Sequence, residues 1–380
     1  MRRLLSCDTE TTTINNGDPF NPGNMLVSVG FYDGENYTLF YKKFDLQQIQ
    51  NLVDTSILVF VNGKFDLHWL RILGIDLTNI SIRDCQLAEF IISDQTHAYA
   101  SLNEIALKYT GQQKIDVVKL DYWDKGIDTW FIPKDLLEMY LMEDLRLTYE
   151  VFSQQKEILQ QTGKYPLFVL QSLDQLVLAE MEWTGILYNK EESIKRGDDL
   201  QEKITELTEY IKSYSLCPSF NCASGDHLSC LLYGGTIIHT NRVPVGFYKT
   251  GAKVGQQRYK LYEETFIQER LVEPLKGSEL KKEGYFSTDE DTLLSLKPKK
   301  KEVKKLIDTI LELSKTEKLQ GTYFYGIPKL MDEKGWEGNY IHGQLNQCVA
   351  RTGRLSASKP NQQNFDPQVK QLCISRYITT

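Results

Sequence analysis

The sequence contains no long apolar run. The longest extends from Ile57 to Val61, whereas a helix needs about 18 apolar residues to cross a bilayer. No apolar signal segment follows Met1 either, because Asp8 and Glu10 come almost at once. Cysteine is scarce: the 380 residues include seven, an odd number that is typical of reduced thiols and not of a disulfide framework. These absences exclude a membrane-spanning or disulfide-stapled protein and predict a cytoplasmic location.

Positive charge is in deficit over the whole chain, which has a net charge of −7, but the deficit is uneven. Residues 1–150 hold 13 Lys and Arg against 22 Asp and Glu, whereas residues 241–380 hold 24 against 17. Carboxylates gathered in the first segment could bind metal ions, and a basic last segment could bind phosphates. Solvated polar faces produce the same pattern, so charge alone leaves both interpretations open.

The order of local patterns predicts an α/β protein. Residues 1–60 contain short β-branched or aromatic segments separated by Asn, Gly, Asp and Pro, a pattern typical of strands. Helices are predicted over Lys64–Leu73, after the capping-box pattern that begins at Ser101, and from Pro133 to Leu159. Strands followed by alternating strands and helices indicate a mixed sheet with helices packed on it.

The sequence pattern changes after the predicted sheet and its helices, which end near residue 159. Residues 165–214 are predicted to be helical with a break at Gly185, and a further helix is predicted from Ser287 to Leu319. Between these segments, residues 235–290 are rich in Gly, Lys and Tyr and predict only short strands. Residues 331–380 have the composition of loops and strands, with many Gly, Asn, Gln and Ser.

Asp8 and Glu10 are the first candidate ligands of a metal ion. They follow the predicted strand Leu4–Cys7, and the period of two in a strand directs both to one face. Two carboxylates this close repel each other, so one would keep its proton unless a divalent cation binds both. Oxygen ligands suit Mg²⁺ or Mn²⁺, although an Asp-x-Glu sequence after a strand is also common in turns.

Two further motifs carry carboxylates. Asp66 follows the apolar strand that ends at Val61 and begins the next helix, where the helix dipole alone could explain it. Tyr140 and Asp144 are spaced i, i+4 in the predicted long helix, so they share a face. An Asp on the inner face of a buried helix is costly unless it is paired or bound to metal. Each motif has a structural explanation when it stands alone, but the three together favour a metal site.

The three motifs together resemble those of the DEDD 3′–5′ exonucleases, in the variant whose third motif carries tyrosine. The resemblance covers residues 1–160, and it implies a ribonuclease-H-like α/β fold and hydrolysis with two divalent metal ions, Mg²⁺ or Mn²⁺. Ile14 and Asn62 match positions that contact the terminal nucleotide in this family, Ile14 as an apolar wedge against the last base. The matching motifs are Asp8-x-Glu10, Asn62-x-x-Phe65-Asp66 and Tyr140-x-x-x-Asp144.

The same resemblance implies a role for each catalytic residue. Asp8 would bridge both metal ions. Glu10 and Asp144 would hold the ion that generates hydroxide, and Asp66 would hold the second ion through water. Tyr140 would orient the attacking water, which is a positioning role.

The C-terminal part of the chain resembles the family A, or polymerase I-like, DNA polymerases. Residues 352–356 (Thr-Gly-Arg-Leu-Ser) and 360–364 (Pro-Asn-Gln-Gln-Asn) are close to a stretch of that family. The chain departs from the family pattern with Gln362 in place of Leu and with Phe365-Asp366 in place of Ile-Pro.

This second resemblance implies contacts with DNA. Arg354 would contact the primer terminus in the minor groove, and contacts with duplex DNA are implied for Lys318, Asn361, Gln363 and Asn364. Arginine and amide side chains are donors that suit phosphates and base edges. A polar surface loop has the same composition, so the residues alone do not require DNA.

Residues 180–185 and 220–234 resemble the segments that lead into the thumb of the same polymerases. We therefore predict a ribonuclease-H-like 3′–5′ exonuclease domain over residues 1–164. A mainly helical thumb-like region with a basic insertion at 235–290 is predicted over residues 165–330. Residues 331–380 are predicted to begin a polymerase palm that is incomplete.

The predicted function is the 3′–5′ proofreading exonuclease and DNA-gripping portion of a replicative polymerase. No 5′-nuclease domain precedes residue 1, which favours a phage-type enzyme in the host cytoplasm. Palm strands and a fingers helix of the family are missing after Thr380, so polymerisation is expected only with a second polypeptide that carries them. The expected partners are primer–template DNA, a single-stranded 3′ end, this second polypeptide, and a processivity factor at residues 235–290. A free-standing 3′–5′ exonuclease and a non-catalytic DNA-binding subunit are the alternatives.

Overall fold

The computed structural model describes residues 2–114 and 117–375. Contacts divide the chain into two compact units, the first drawn from residues 1–190 and 327–380 and the second from residues 191–326. Residues 376–380 of the predicted palm segment lie outside the described residues. The helix Tyr165–Thr184, which we predicted to begin the thumb-like region, belongs to the first unit because it packs on that unit's sheet and helices. The assignment of the ranges as exonuclease, thumb and palm stays a prediction.

A five-stranded mixed sheet forms the centre of the first unit. Its strands are β1 Arg3–Thr11, β2 Leu26–Tyr32, β3 Tyr37–Tyr41, β4 Ser56–Phe60 and β5 Ile82–Asp84. The spatial order is β3–β2–β1–β4–β5. The pairs β1–β2 and β2–β3 are antiparallel, and the pairs β1–β4 and β4–β5 are parallel. This arrangement confirms the predicted α/β fold with a mixed sheet.

The first strand is longer than the sequence predicts. The apolar stretch ends at Cys7, but β1 continues to Thr11 and carries Asp8 and Glu10 within it. The reason is pairing with β2, which continues along the acidic residues and places Asp8 opposite Gly30. Pairing with a neighbouring strand therefore outweighs the low strand preference of Asp.

Helices of the first unit pack against this sheet or against one another. They are α1 Leu46–Thr55, α2 Gly63–Ile72, α3 Cys85–Ile92, α4 Leu102–Thr110, α5 Val117–Asp121, α6 Lys134–Gln161 and α7 Tyr165–Thr184, with 3₁₀ turns at Trp123–Lys125 and Thr129–Phe131 and the short strand β6 Ile186–Leu187. The long helix α6 contacts β1, β2 and β4, and α7 contacts β5 and α2. Helix α4 begins with the predicted capping box, in which Ser101 and Glu104 each accept a backbone N–H from the other.

The second unit has its own hydrophobic core, to which α8, α9 and α11 contribute most of the buried side chains. Its elements are α8 Lys190–Lys212, α9 Gly225–Tyr233, β7 Gly235–Phe247, β8 Gln257–Gln268, α10 Glu290–Ser295, α11 Lys301–Lys318 and a π-helical turn Leu319–Tyr325. The helix predicted from Ser287 to Leu319 is divided into α10 and α11. Pro298 lies between them and cannot continue a helix, because it lacks the backbone N–H.

Strands β7 and β8 pair as an antiparallel ribbon of 13 and 12 residues. The prediction of short strands in residues 235–290 was therefore wrong in length. A ribbon whose outer part is exposed on both faces shows no alternation of apolar and polar residues, so its length leaves no pattern in the sequence.

Residues 327–375 form the C-terminal part of the first unit, and they contact the sheet and helices described above through Glu182 of α7. This part contains α12 Gly326–Lys334, β9 Tyr340–Ile341, β10 Gln344–Asn346, β11 Ser356–Ser358, a 3₁₀ turn Gln362–Asn364 and α13 Pro367–Lys370. The buried Glu182 carboxylate accepts hydrogen bonds from Lys64 Nζ and, at 2.6 Å, from the Leu345 N–H, and it lies 3.1 Å from His68 Nε2. No helix among the described residues is long and apolar enough to cross a membrane.

Candidate active site

Three carboxylates from two elements converge in the first unit. Ligand atoms of Asp8, Glu10 and Asp144 all lie within 4.8 Å of one another. Asp8 and Glu10 come from one face of β1, and Asp144 comes from the middle of α6. Glu10 and Asp144 are buried, and Asp8 is partly buried. Such a set of oxygen ligands is of the kind that Mg²⁺ and Mn²⁺ prefer.

Gly30 and Ser6 bring α6 close to β1. A Cβ atom on Gly30 would lie 2.6 Å from Leu145 Cδ1, so a larger residue there would push the helix away. Ser6, on the same face of β1 as Asp8, donates its hydroxyl to the Leu145 carbonyl oxygen at 2.7 Å. Because Leu145 follows Asp144 directly, these contacts set how closely Asp144 approaches Asp8. The sequence patterns did not reveal either residue.

Asp66 lies in the first turn of α2 and is held by Thr9 of β1. The Thr9 hydroxyl donates to Asp66 Oδ1 at 2.7 Å. Asp66 is outside the group of three carboxylates, but it is close enough for the charge of Asp8 to act on it. The structure therefore gathers the four acidic residues that the sequence singled out, three as a tight cluster and Asp66 beside it.

The cluster shifts the pKa of each carboxyl upward. Burial raises the pKa of Asp8 to about 6 and that of Asp144 to about 7, although the charge of Lys114 opposes both shifts. Burial, followed by the charges of Asp8 and Asp144, raises the pKa of Glu10 well above its usual value. Burial and the charge of Asp8 do the same to Asp66. Closely packed carboxyl groups without a bound cation hold protons more tightly than exposed ones.

Lys114 is a buried cation beside these carboxylates, and the sequence analysis missed it. Its Nζ atom donates to Asp144 Oδ2 at 2.6 Å and lies 3.2 Å from the centroid of the Tyr140 ring. Lys114 belongs to the loop after α4, where no periodic pattern marks a residue as buried. A lysine that offsets the charge of distant carboxylates could be recognised only once the fold had placed them together.

The remaining ligand atoms fit divalent cations. Asp144 Oδ1 is buried and has no hydrogen-bond partner in the described part of the chain. A buried acceptor without a donor costs about 1–3 kcal/mol, and a cation at this atom would remove that cost. Tyr140 lies one helical turn from Asp144 on the same face of α6, and its ring packs edge-on against Trp123 with centroids 5.5 Å apart.

Ile14 lies in a turn after β1, with a side chain that is 47% exposed. The buried Asn24 holds this turn in place. Its Oδ1 accepts from the Ile14 N–H at 3.1 Å, and its Nδ2 donates to the carbonyl oxygens of Ile14 and Asp18 at 2.8 and 2.9 Å. The turn thus presents an apolar side chain to solvent, and the wedge role of Ile14 stays a prediction.

Asn62 begins α2 in a left-handed conformation, with φ of 65°, which asparagine tolerates better than most residues. Asp84 holds the following residue, because its Oδ2 accepts from the Gly63 N–H at 2.8 Å. Asn62 and Phe65, which flank the start of α2, line a cavity of about 340 Å³ together with His68. The cavity offers amide and aromatic groups next to the helix that carries the fourth acidic residue.

The predicted contacts with duplex DNA are surface residues. Arg354, Asn361, Gln363 and Asn364 are exposed in the first unit, on the loop that contains β11. Gln363 Nε2 donates to the Leu355 carbonyl oxygen at 3.2 Å. The remaining residue of this set, Lys318, is exposed at the C-terminal end of α11 in the second unit. Their roles in binding DNA stay predictions.

Comparison with known families matches two parts of the chain. Residues 2–160 match the family described as 3′–5′ exonuclease. Residues 252–376 match the family described as DNA polymerase family A. The first range contains the carboxylate cluster and Tyr140, and the second contains Arg354 and the loop around it.

Similar proteins are DNA polymerases that are longer than this chain. DNA polymerase I of Synechocystis sp. is 29% identical over 81% of the chain and 27% of its own length. DNA polymerase I of Bacillus subtilis is 26% identical over 78% of the chain and 28% of its own length. The DNA polymerase of Bacillus phage SP01 is 23% identical over 94% of the chain and 41% of its own length. The chain thus spans between a quarter and two fifths of these relatives.

A solved structure has the same fold. The POL domain of Pol1 from M. smegmatis, in complex with DNA primer-template and dNTP, superimposes with a TM-score of 0.69 and 14% identity. The alignment covers 97% of this chain and 54% of that one. From the two family matches and the relatives, we conclude that residues 2–160 belong to the 3′–5′ exonuclease family and that residues 252–376 belong to DNA polymerase family A.

Proposed function

We propose that this chain is the 3′–5′ exonuclease and DNA-gripping portion of a replicative DNA polymerase. One observation carries the proposal. Asp8, Glu10 and Asp144 converge within 4.8 Å, and Asp144 Oδ1 has no partner in the described residues. Proofreading removes the 3′-terminal nucleotide of a growing strand, and an all-oxygen cluster for divalent cations is the chemistry that this hydrolysis needs.

The four acidic residues would hold the metal ions of the reaction. Asp8, Glu10 and Asp144 would ligate one Mg²⁺ or Mn²⁺ ion, and Asp66 would hold a second ion that shares Asp8. When bound, such a pair of ions activates water and stabilises the attacking and leaving oxygens of an in-line displacement. Because the 3′ oxygen of the neighbouring nucleotide leaves, the released product is a 5′-mononucleotide.

The other residues of the site position groups for this reaction. Tyr140 would orient the attacking water, and its ring is fixed between Lys114 Nζ and the edge of Trp123. Lys114 offsets part of the negative charge that the cluster carries. A fixed ring and a balanced cluster keep the reacting groups in one arrangement before substrate enters, which lowers the cost of reaching the transition state.

The 3′ end of a single strand of DNA is the proposed substrate. Ile14 would lie against the last base as a wedge, and Asn62 would contact the terminal nucleotide. The cavity beside Asn62 and Phe65 supplies amide and aromatic groups that suit unstacked bases. Arg354 would contact the primer terminus, and contacts with duplex DNA are proposed for Lys318, Asn361, Gln363 and Asn364.

Partners other than DNA belong to the proposal as well. We propose that templated synthesis requires palm and fingers residues beyond those in residues 1–380. In the described residues β10 pairs only with β11, so this two-stranded sheet presents strand edges that further palm strands could extend. The site of action would be the cytoplasm of a phage-infected host, where replicating DNA is found. A processivity factor that binds residues 235–290 is the last proposed partner.

A labelled single-stranded oligonucleotide tests the proposal. With Mg²⁺ or Mn²⁺, we expect 5′-labelled DNA to shorten progressively and 3′-labelled DNA to release its label first, as a 5′-mononucleotide. EDTA should stop both reactions, because the carboxylates would lack their ions. Internal cleavage, or hydrolysis that continues in EDTA, would contradict a metal-dependent exonuclease. Binding of DNA without hydrolysis in either metal would favour the non-catalytic alternative. A free-standing exonuclease is disfavoured by the family A match of residues 252–376.

A further inference from the structure

The β7–β8 ribbon projects from a fixed base in the second unit. Ile237 is only 2% exposed, and Phe266, which lies opposite it in the ribbon, packs on the same core. Every residue from 242 to 265 is exposed. At about 3.3 Å per residue, the strands of 13 and 12 residues are each about 40 Å long, of which the exposed residues 242–247 of β7 account for about 20 Å. The ribbon is therefore a long exposed arm attached at one end.

The outer part of this arm is basic, although the protein as a whole is acidic. Residues 242–262 include five cationic side chains and no Asp or Glu, while the whole chain has a net charge of −7. A solvated face in a protein of this composition would mix both signs. The segregation of positive charge favours an anionic partner. The five cationic residues are Arg242, Lys249, Lys253, Arg258 and Lys260.

Aromatic rings accompany the cations on both faces of the ribbon. The Arg242 guanidinium lies 5.4 Å from the centroid of the Tyr259 ring, and Lys260 Nζ lies 5.0 Å from that of Tyr262. Arg242 pairs with Leu261, so it shares a face with Tyr259, whereas Lys260 and Tyr262 lie on the opposite face. Cations on both faces of the ribbon can contact the two sugar–phosphate backbones that border a groove of duplex DNA.

We propose that the outer part of the β7–β8 ribbon is a binding arm for double-stranded DNA. The major groove admits a two-stranded β-ribbon, and phosphates on either side would meet the cations of the two faces. This inference goes beyond the proposed function, because the ribbon contains none of the nuclease carboxylates or the DNA contacts predicted from the sequence. The ribbon also exposes apolar side chains that would suit a protein partner, namely Ile238, Val243, Val245, Phe247, Leu261 and Ile267. Its five cations outnumber its two acidic residues, Glu263 and Glu264, and favour a polyanion.

Fluorescence anisotropy with the full chain tests the arm. The probes are a labelled blunt duplex and a labelled single strand of the same length, and EDTA prevents hydrolysis, so the result does not depend on the nuclease assignment. We expect a variant with Lys249→Gln, Lys253→Gln and Lys260→Gln to bind the duplex about tenfold more weakly at low salt. The slope of log affinity against log salt should become shallower by about 2 to 3, because three phosphate contacts are lost.

A second variant removes the same charge elsewhere in the second unit, with Lys195→Gln, Lys203→Gln and Lys276→Gln, all at exposed positions. Its duplex affinity should fall by less than about threefold, because long-range attraction is screened by salt. Far-UV circular dichroism should show that both variants are folded, since none of the six side chains is buried. An equal loss for the two variants overturns the proposal. So does an equal loss on single-stranded and duplex DNA, and so does unchanged duplex binding, which would leave the ribbon to a protein partner.

Discussion

At the scale of single residues, Lys114 decides the charge balance of the candidate active site. Its side chain is 5% exposed and forms an ion pair with Asp144 at 2.6 Å. Removing one partner of a buried ion pair costs about 3–5 kcal/mol, because the other charge is left buried and uncompensated. Here the remaining charges are those of neighbouring carboxylates, which also repel one another.

We therefore expect Lys114→Met to lower the free energy of unfolding of the metal-free protein by about 3 kcal/mol. Saturating Mn²⁺ should restore most of this loss, because an ion that binds only the folded cluster stabilises it. Urea denaturation in EDTA and in Mn²⁺ measures both effects. The control Lys125→Met removes an exposed partner of Asp121 and should cost less than about 1 kcal/mol. Equal effects of the two substitutions would contradict the role given to Lys114.

The raised pKa values predict how the stability of the metal-free protein depends on pH. Burial raises the pKa of Asp8 from 3.8 to about 6 and that of Asp144 from 3.8 to about 7. The folded protein thus keeps protons that the unfolded chain has released, so the free energy of unfolding falls as pH rises from about 4 to 7. The melting temperature in EDTA should be lower at pH 8 than at pH 5. A bound divalent cation should reduce this decline, because it replaces the protons. A melting temperature that rises over this interval would refute the shifts.

At the scale of secondary structure elements, the close approach of α6 to β1 builds the site. A Cβ on Gly30 would lie 2.6 to 3.0 Å from methyl carbons of Leu39, Leu141 and Leu145. The two leucines of α6 are fully buried, so they have little room to move. A residue without a side chain at this point of β2 is therefore what allows α6 to carry Asp144 to the cluster.

We expect Gly30→Ala to lower the free energy of unfolding by about 1 to 3 kcal/mol through overpacking. It should also weaken binding of Mn²⁺, measured by calorimetric titration, because α6 moves away from β1. Gly225→Ala is a matched control, since the nearest atom to its added Cβ is Thr288 Oγ1 at 3.6 Å. That control should leave both quantities nearly unchanged. Unchanged Mn²⁺ affinity in Gly30→Ala would mean that the position of α6 does not determine how the carboxylate cluster binds the ion.

Glu182 gives a second prediction at this scale. Burial alone would raise its pKa, but hydrogen bonding to His68 and the charge of Lys64 hold the pKa below its usual value. Glu182→Ala removes the ion-pair partner of Lys64 and the acceptor of the Leu345 N–H, and it should cost about 3–5 kcal/mol in urea denaturation. Glu180→Ala breaks a pair with Arg71 in which the Glu180 side chain is 57% exposed, and it should cost less than about 1 kcal/mol. Similar midpoints for the two variants would disprove this role of Glu182.

Sequence rules that concern neighbouring residues predicted the helices and strands whose boundaries depend on neighbouring residues. The capping box at Ser101 marked the start of α4, because its hydrogen bonds involve neighbouring residues only. The end of β1 was not predictable, because pairing with β2 carries the strand through Asp8 and Glu10. The acidic motifs indicated the candidate site, since each lies within or directly after an element that the sequence shows. Lys114 could not be recognised as a site residue from the sequence, because its partner Asp144 is 30 positions away and only the fold brings the two together.

At the scale of the whole molecule, each unit concentrates charge of one sign at one place, although the first unit holds 23 Lys and Arg against 30 Asp and Glu and the second holds 21 of each. The first unit gathers carboxylates at the cluster of Asp8, Glu10 and Asp144, and the second carries the basic ribbon. A site for divalent cations requires concentrated negative charge, whereas DNA binding requires positive charge. The uneven charge along the sequence therefore includes two local concentrations, the acidic cluster in the first unit and the cations of the ribbon in the second.

The central claim is that the carboxylate cluster is a metal-dependent nuclease site, and hydrolysis of a 5′-labelled single-stranded oligonucleotide by Asp8→Ala tests it most directly. The substitution removes a ligand that both ions would share and several kcal/mol of transition-state stabilisation, so the rate should fall by at least about a thousandfold. The control Asp54→Ala removes an exposed carboxylate of α1 and should keep the rate of the unmodified protein. Hydrolysis by Asp8→Ala at an undiminished rate, with both variants folded, would contradict the account.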